Sequence, residues 1–66
     1  MKVYQITTDG ESRLYVAESL MEAVEQDFAA FISENSDHPD FDSFGNRDYY
    51  DSLLDQIVLV GSVQLP

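Results

Sequence analysis

Sixteen residues, Ser19–Glu34 (SLMEAVEQDFAAFISE), constrain the fold more than any other stretch of the chain. Leu20, Val24, Phe28, Phe31 and Ile32 recur at helical spacing and fall within about 120° of arc, the pattern of a helix that buries one stripe. Met21 sits on the shoulder of that stripe. Ser19 and Glu22 form an S-x-x-E capping box, in which each side chain satisfies a backbone N–H at the other's position. Glu18, Glu22 and Glu25 add negative charge near the positive end of the helix dipole. Glu22, Glu25 and Ala29 lie opposite the stripe, and Asp27 and Glu34 share one flank. A helix with a single apolar stripe needs a surface to cover, and the segments on either side read as strands.

Before it, Lys2–Thr8 (KVYQITT) alternates, with Tyr4, Ile6 and Thr8 on one face and Val3, Gln5 and Thr7 on the other. Asp9-Gly10 tolerates the positive φ values of a hairpin turn. With Glu11 and Ser12 widening it, the connection is expected to span four or five residues. Arg13–Ala17 (RLYVA) returns as the second strand, Leu14 and Val16 facing one way and Tyr15 the other. After the helix, residues 35–46 (NSDHPDFDSFGN) are turn-rich, with Pro39 restricting His38, Gly45-Asn46 marking a turn, and Phe41 and Phe44 anchoring the loop. Arg47–Gln56 (RDYYDSLLDQ) reads as a short helix with Asp48, Asp51, Ser52 and Asp55 on one face and Tyr50, Leu53 and Leu54 on the other. Ile57–Leu65 (IVLVGSVQL) is the last strand. Its first half, Ile57–Val60, is apolar on both faces and is expected to be shielded on both sides or to lie centrally; Gly61 marks a bulge.

The expected fold is therefore α+β, in the order β-β-α-(short α)-β. A right-handed crossover puts the first strand in the middle of a three-stranded antiparallel sheet, with the long helix on one face. The 66 residues make a single domain: hairpin 2–17, long helix 19–34, acidic loop 35–46, short helix 47–56 and strand 57–65. A chain this short buries only about 60% of its unfolded surface, and its expected stability is roughly 3–10 kcal/mol. Four Phe and four Tyr give it enough apolar material to fold without metal or disulfide, and the absence of cysteine excludes a disulfide and a thiolate zinc site.

Charge narrows the function. Thirteen acidic residues face three basic ones, for a net charge of −10. Lys2, Arg13 and Arg47 cannot form a phosphate-binding patch, so direct binding to nucleic acid or anionic lipid is disfavoured, while encounter with basic surfaces is accelerated. No apolar run approaches the roughly 20 residues of a membrane span, and the N-terminus lacks the pattern of a secretory signal; a cytoplasmic protein is expected. His38 is the only histidine, and the three glycines form neither a dinucleotide fingerprint nor a phosphate loop. The chain is read as a non-enzyme without a cofactor. Asp40–Asp51 can be aligned on a calcium loop, with Asp40, Asp42, Gly45, Asp48 and Asp51 at positions one, three, six, nine and twelve. Phe44 then occupies a ligand position, and Asp51 replaces the bidentate glutamate.

The segment Tyr15–Val24 (YVAESLMEAV) resembles the strand-to-helix joint of many small phage and plasmid proteins of ββαβ type. In size and charge the chain also resembles the small acidic inhibitors that phages direct against bacterial defence, of the anti-CRISPR and anti-restriction type. That resemblance implies a DNA mimic, whose carboxylates take the places of phosphates in a basic groove. On a helix, Asp48, Asp51 and Asp55 are about 4.5 and 6 Å apart in axial rise, against about 3.4 Å per phosphate along one DNA strand. The residues expected to meet such a partner are Asp37, Asp40, Asp42, Asp48, Asp51 and Asp55, with Glu22 and Glu25 as a second patch. Tyr49 and Tyr50 either supply its apolar part or pack against the body of the protein. The alternative is a small interaction module, a homodimer paired through a sheet edge, whose acidity serves solubility.

Overall fold

The computed structural model describes residues 1–63. Its two-residue hairpin turn sets the register of everything that follows. Asp9 and Gly10 adopt φ of 51° and 81°, the left-handed pair that matches the twist of two antiparallel strands. Thr8 therefore pairs directly with Glu11, and β1 (Lys2–Thr8) runs against β2 (Glu11–Ala17) without interruption. The wider loop expected from Glu11 and Ser12 does not form, because both residues are already in the ladder.

Helix α1 spans Leu20–Asn35, and Ser19 Oγ accepts the Glu22 N–H at 3.2 Å. Residues 35–46 are less irregular than their composition suggests. A single helical turn, α2 (Phe41–Phe44), sets Phe41 edge-on to Phe44 at 5.9 Å. Gly45 closes it where a Cβ would lie 2.8 Å from the Phe41 carbonyl oxygen and 2.5 Å from its ring. Asn46 then caps α3 (Arg47–Leu53), its Oδ1 accepting the Tyr49 N–H at 2.8 Å.

The expected short helix through Gln56 ends three residues early. The Leu53 carbonyl accepts the Asp9 N–H of the hairpin turn at 2.9 Å, and Leu54 is already extended. Strand β3 (Leu54–Ser62) pairs antiparallel with β1, giving the order β2-β1-β3 with the first strand central, as expected. One register shift falls opposite Val3 and Tyr4, beside Gly61, and another opposite Thr7 and Thr8. Of the strand expected over 57–65, residues 64 and 65 lie outside the described residues.

The register sorts the sheet into two unlike faces. Tyr4, Ile6, Tyr15, Ala17 and Ile57 point toward the helices and join Ala23, Val24, Phe28, Phe31, Tyr50 and Leu54 in the core. The opposite face, built on Val3, Gln5 and Thr7, has no layer over it. On it Leu14, Val16, Val58 and Val60 are 65, 46, 39 and 54% exposed. Strand β3 is thus an edge strand bare on this side, contrary to the shielding expected from its apolar run. Among the described residues no helix is long and apolar enough to cross a membrane.

Candidate functional site

The buried side of α1 is turned from the expected stripe toward Ala23, Val24 and Asp27. Leu20 overhangs the end of the sheet and is half exposed. Asp27 explains the rotation. It is the one buried charged residue among the described residues, 4% exposed, and its carboxylate accepts from three hydroxyls. Thr8 and Tyr50 donate to Oδ2 at 2.8 and 2.7 Å, and Tyr15 donates to Oδ1 at 2.5 Å. These donors come from β1, α3 and β2, so one side chain of α1 is bonded to three other elements. Every buried side-chain polar atom among the described residues has a partner, which is what allows a charge at this depth.

Burial, reinforced by the Asp27 carboxylate, pushes the Tyr15 phenol up to about 12 and raises Tyr50 as well. Both phenols stay protonated and donating across the neutral range. A group whose folded pKa lies above its ordinary value of 10 contributes stability that is complete below that value and is lost as pH rises toward the folded one. The urea midpoint is therefore expected to fall between about pH 10 and 12, and to fall less in Tyr15→Phe, with the ring resonances of Tyr15 and Tyr50 turning to phenolate only as circular dichroism is lost. Phenolate at Tyr15 or Tyr50 near pH 10 with the fold intact overturns the assignment.

The two arginines are consumed internally. Arg13 holds Glu34 through both guanidinium nitrogens, Nη2 to Oε1 at 2.6 Å, and approaches Glu11 at 3.4 Å. This forked bond pulls the Glu34 carboxyl below its ordinary range. Arg47 donates to Asp51 at 2.9 Å and Glu25 at 2.8 Å, while its guanidinium lies 5.5 Å from the Phe28 ring centre and 5.6 Å from that of Tyr50. Glu25 and Asp51, both expected at a partner surface, are thus joined to the same cation.

Eight carboxylates remain without a cationic partner among the described residues: Asp9, Glu18, Glu22, Asp37, Asp40, Asp42, Asp48 and Asp55. All eight are exposed. Of the expected interface residues, Asp37, Asp40 and Asp42 follow the C-terminal end of α1. Glu22 lies in its first turn, about 20 Å away along the axis. Asp48 is on α3, whereas Asp55 is in β3, where its Oδ2 accepts the Gly10 N–H at 3.4 Å. The aspartate stripe Asp48–Asp51–Asp55 therefore does not exist as one helical face: Asp51 is bound to Arg47, and the helix ends before Asp55. Tyr50 is fully buried and is not available to a partner, while Tyr49 is 43% exposed.

At the hairpin end, an open cleft of about 580 Å³ lies between the turn, the end of α1 and the α2–α3 segment. Asp27 and Thr8 form its floor, Phe31, Phe44 and Tyr49 its aromatic wall, and Asp9, Glu11 and Asp40 its exposed rim. The three rings are mutually packed, Phe44 standing 5.6 Å from Tyr49 and 6.3 Å from Phe31. His38 also lines the cleft, with Nδ1 accepting the Asp40 N–H at 3.0 Å and its ring edge-on to Phe44 at 5.0 Å. Asp40 alone of the expected interface carboxylates lies here, together with Tyr49. Asp9 and Glu11 were legible only as turn residues, since nothing in the sequence places the hairpin turn beside residue 40.

The segment that aligns on a calcium loop is instead folded as α2 and the first turns of α3, and no group of three or more metal-ligating side chains converges among the described residues. No protein-family model, curated protein or solved structure matches the chain.

Proposed function

We propose that the protein is an acidic inhibitory binding protein that occupies a basic nucleic-acid-binding surface, of the kind presented by bacterial CRISPR or restriction complexes. The observation that carries this reading is the division of charge. Arg13 and Arg47 are tied to carboxylates of the same chain, and eight exposed carboxylates are left without a cation. The surface offered to a partner is consequently far more uniform in sign than a mixture of paired residues. Clustered like charge of this kind focuses a field that draws a Lys/Arg-rich surface.

The cleft supplies the directional part. A Lys or Arg side chain approaching it meets the carboxylates of Asp9 and Asp40 at the rim and the aromatic wall of Phe44 and Tyr49, the two components of a cation site. Arg13, which also lines the cleft, is held by Glu34 and Glu11. The contact set is therefore Asp9 and Asp40 at the cleft, continued by Asp37, Asp42 and Asp48, with Tyr49 as its aromatic member.

Two variants of equal net charge test the proposal. Asp40→Asn/Asp48→Asn removes two free carboxylates; Glu25→Gln/Asp51→Asn removes two that Arg47 already neutralises. In capture from lysates of bacteria carrying CRISPR or restriction complexes, the first pair is expected to weaken retention at least tenfold, and the second much less. Bound partner is expected to be released by duplex DNA and by salt, since exposed charges are screened beyond about 8 Å at physiological ionic strength. Equal loss from both pairs reduces the effect to total charge, and retention indifferent to DNA removes the mimicry.

A further inference from the structure

The sheet face turned away from the helices carries no charge at its paired positions. These are held by Val, Leu, Gln, Thr and Ser with one Gly, while the charged strand residues of the hairpin, Lys2, Glu11 and Arg13, alternate to the helix side. A carboxylate, Asp55, sits in the bulge at the hairpin end, bonded to the Gly10 N–H. In a chain of net charge −10 that segregation needs a reason. Five apolar side chains, Val3, Leu14, Val16, Val58 and Val60, stand on this face, and four of them are 39–65% exposed.

The dimensions point the same way. The Cα envelope measures 44 × 22 × 16 Å, with a radius of gyration of 12.9 Å, against about 11 Å for a compact chain of this length. The molecule is a slab with one sheet and one partial helical layer, and the third layer is missing. Strand β3 carries the composition of a strand buried on both faces, yet Val58 and Val60 are exposed, and Leu59, paired with Tyr4 on the helix side, is exposed as well.

We infer that a second copy of this chain covers that face, the two sheets stacking face to face with the helices outermost. A basic partner has nothing to recognise on an uncharged surface, whereas a copy of the same apolar face is complementary to it. Repulsion between two acidic chains does not oppose the arrangement. With sheets about 10 Å apart and a helix about 10 Å thick outside each, the helical carboxylates of the two copies stand more than about 20 Å apart, well beyond the screening length of about 8 Å. Three strands of about seven residues make a face of roughly 14 × 23 Å. With side-chain relief the pair buries on the order of 1,000 Å² in all, below the roughly 1,200–2,000 Å² of stable interfaces and within the range of transient ones. The dimer is thus one that dissociates on dilution, and it leaves the acidic cleft of each copy open.

Sedimentation equilibrium of the full chain over a wide concentration range, with ¹H–¹⁵N spectra at the two extremes, tests the inference. The mass is expected to rise from 7.5 kDa to twice that value. Concentration-dependent shifts are expected at Val3, Leu14, Val16 and Val58, and high salt should leave the dimer intact or strengthen it. Leu14→Lys and Val58→Lys replace exposed side chains, so the fold is retained and the mass is expected to stay monomeric at every concentration. A wild-type mass that remains monomeric at the highest concentration overturns the inference. So does a dimer that survives both substitutions, or one whose shifts follow the β2 or β3 backbone edge, which is edge pairing. The outcome is independent of whether a basic partner is captured, because that contact lies on the other side of the molecule.

Discussion

Asp27→Ala is expected to remove most of the stability of the protein, about 3 kcal/mol or more out of roughly 3–10. The carboxylate is the shared acceptor of Thr8, Tyr15 and Tyr50, and each buried donor left without a partner costs about 1–3 kcal/mol. Thr8 and Tyr15 are only partly buried and recover some of that loss through water; Tyr50 is sealed and does not. Asp27→Asn is expected to be milder. Its amide oxygen serves Thr8 and Tyr50, while its NH₂ must meet the Tyr15 hydroxyl as an acceptor. The decisive comparison is Asp27→Leu alone against Asp27→Leu combined with Tyr15→Phe and Tyr50→Phe. Replacing an acceptor together with its buried donors by apolar groups of similar shape is often close to neutral, whereas removing one side alone is not; Thr8, only partly buried, keeps its hydroxyl and turns to water. Urea unfolding followed by circular dichroism is expected to rank the triple variant above Asp27→Leu, a non-additivity that only contacting residues produce. If Asp27→Ala unfolds within about 0.5 kcal/mol of the wild type, the range of an ordinary surface change, Asp27 does not organise the core.

This residue also marks where sequence reasoning stopped. The strands, their central first member and the long helix follow from period-2 and period-3.6 apolar spacing, and those signals are local. Asp27 carries no local signal: an acidic residue on a helix flank, in a chain with 13 of them, reads as one more solvated charge. Its burial depends on Tyr15, 12 residues before it, and Tyr50, 23 after, meeting at one point, which only the sheet register and the α1–α3 contact bring about. The same non-locality hid the fate of Glu25 and Asp51. Their spacing from Arg47 is ordinary for Asp51, at i and i+4, but Glu25 reaches the same guanidinium across the fold. Asp55 was misplaced for a related reason. Helical periodicity continues through Gln56, and the interruption comes from the hairpin turn, whose Asp9 N–H takes the Leu53 carbonyl. By contrast the Asp9-Gly10 turn was legible from the dipeptide itself. Only its length was not, because the polar Glu11 and Ser12 read as loop while cross-strand pairing with Thr8 and Thr7 makes them strand.

Tyr50→Ala is expected to leave no cooperative unfolding transition at 37 °C. Tyr50 is the largest fully buried side chain, with no exposed surface. Its ring lies edge-on to Phe28 at 5.3 Å, 5.8 Å from Phe31, and 5.6 Å beneath the Arg47 guanidinium. Truncating a buried aromatic to Ala costs about 3–5 kcal/mol through lost transfer energy and the cavity left behind, and loss of a hydrogen bond to a charged acceptor adds about 1.5–3. The sum reaches the whole stability expected of a domain this small. Tyr50→Phe separates the two contributions: it keeps the ring contacts and removes only the hydroxyl, leaving Asp27 with Thr8 and Tyr15. That variant is expected to fold, with a urea midpoint lower by the equivalent of about 1.5–3 kcal/mol. Phe28→Ala provides the control, because Phe28 is only half-buried and its smaller buried surface places its loss below that of Tyr50→Ala. Should Phe28→Ala prove the more damaging, the core is centred on the helical stripe Leu20–Ile32 rather than on the Tyr50–Asp27 pair. The exposed carboxylates would then have to be placed afresh around a differently rotated α1.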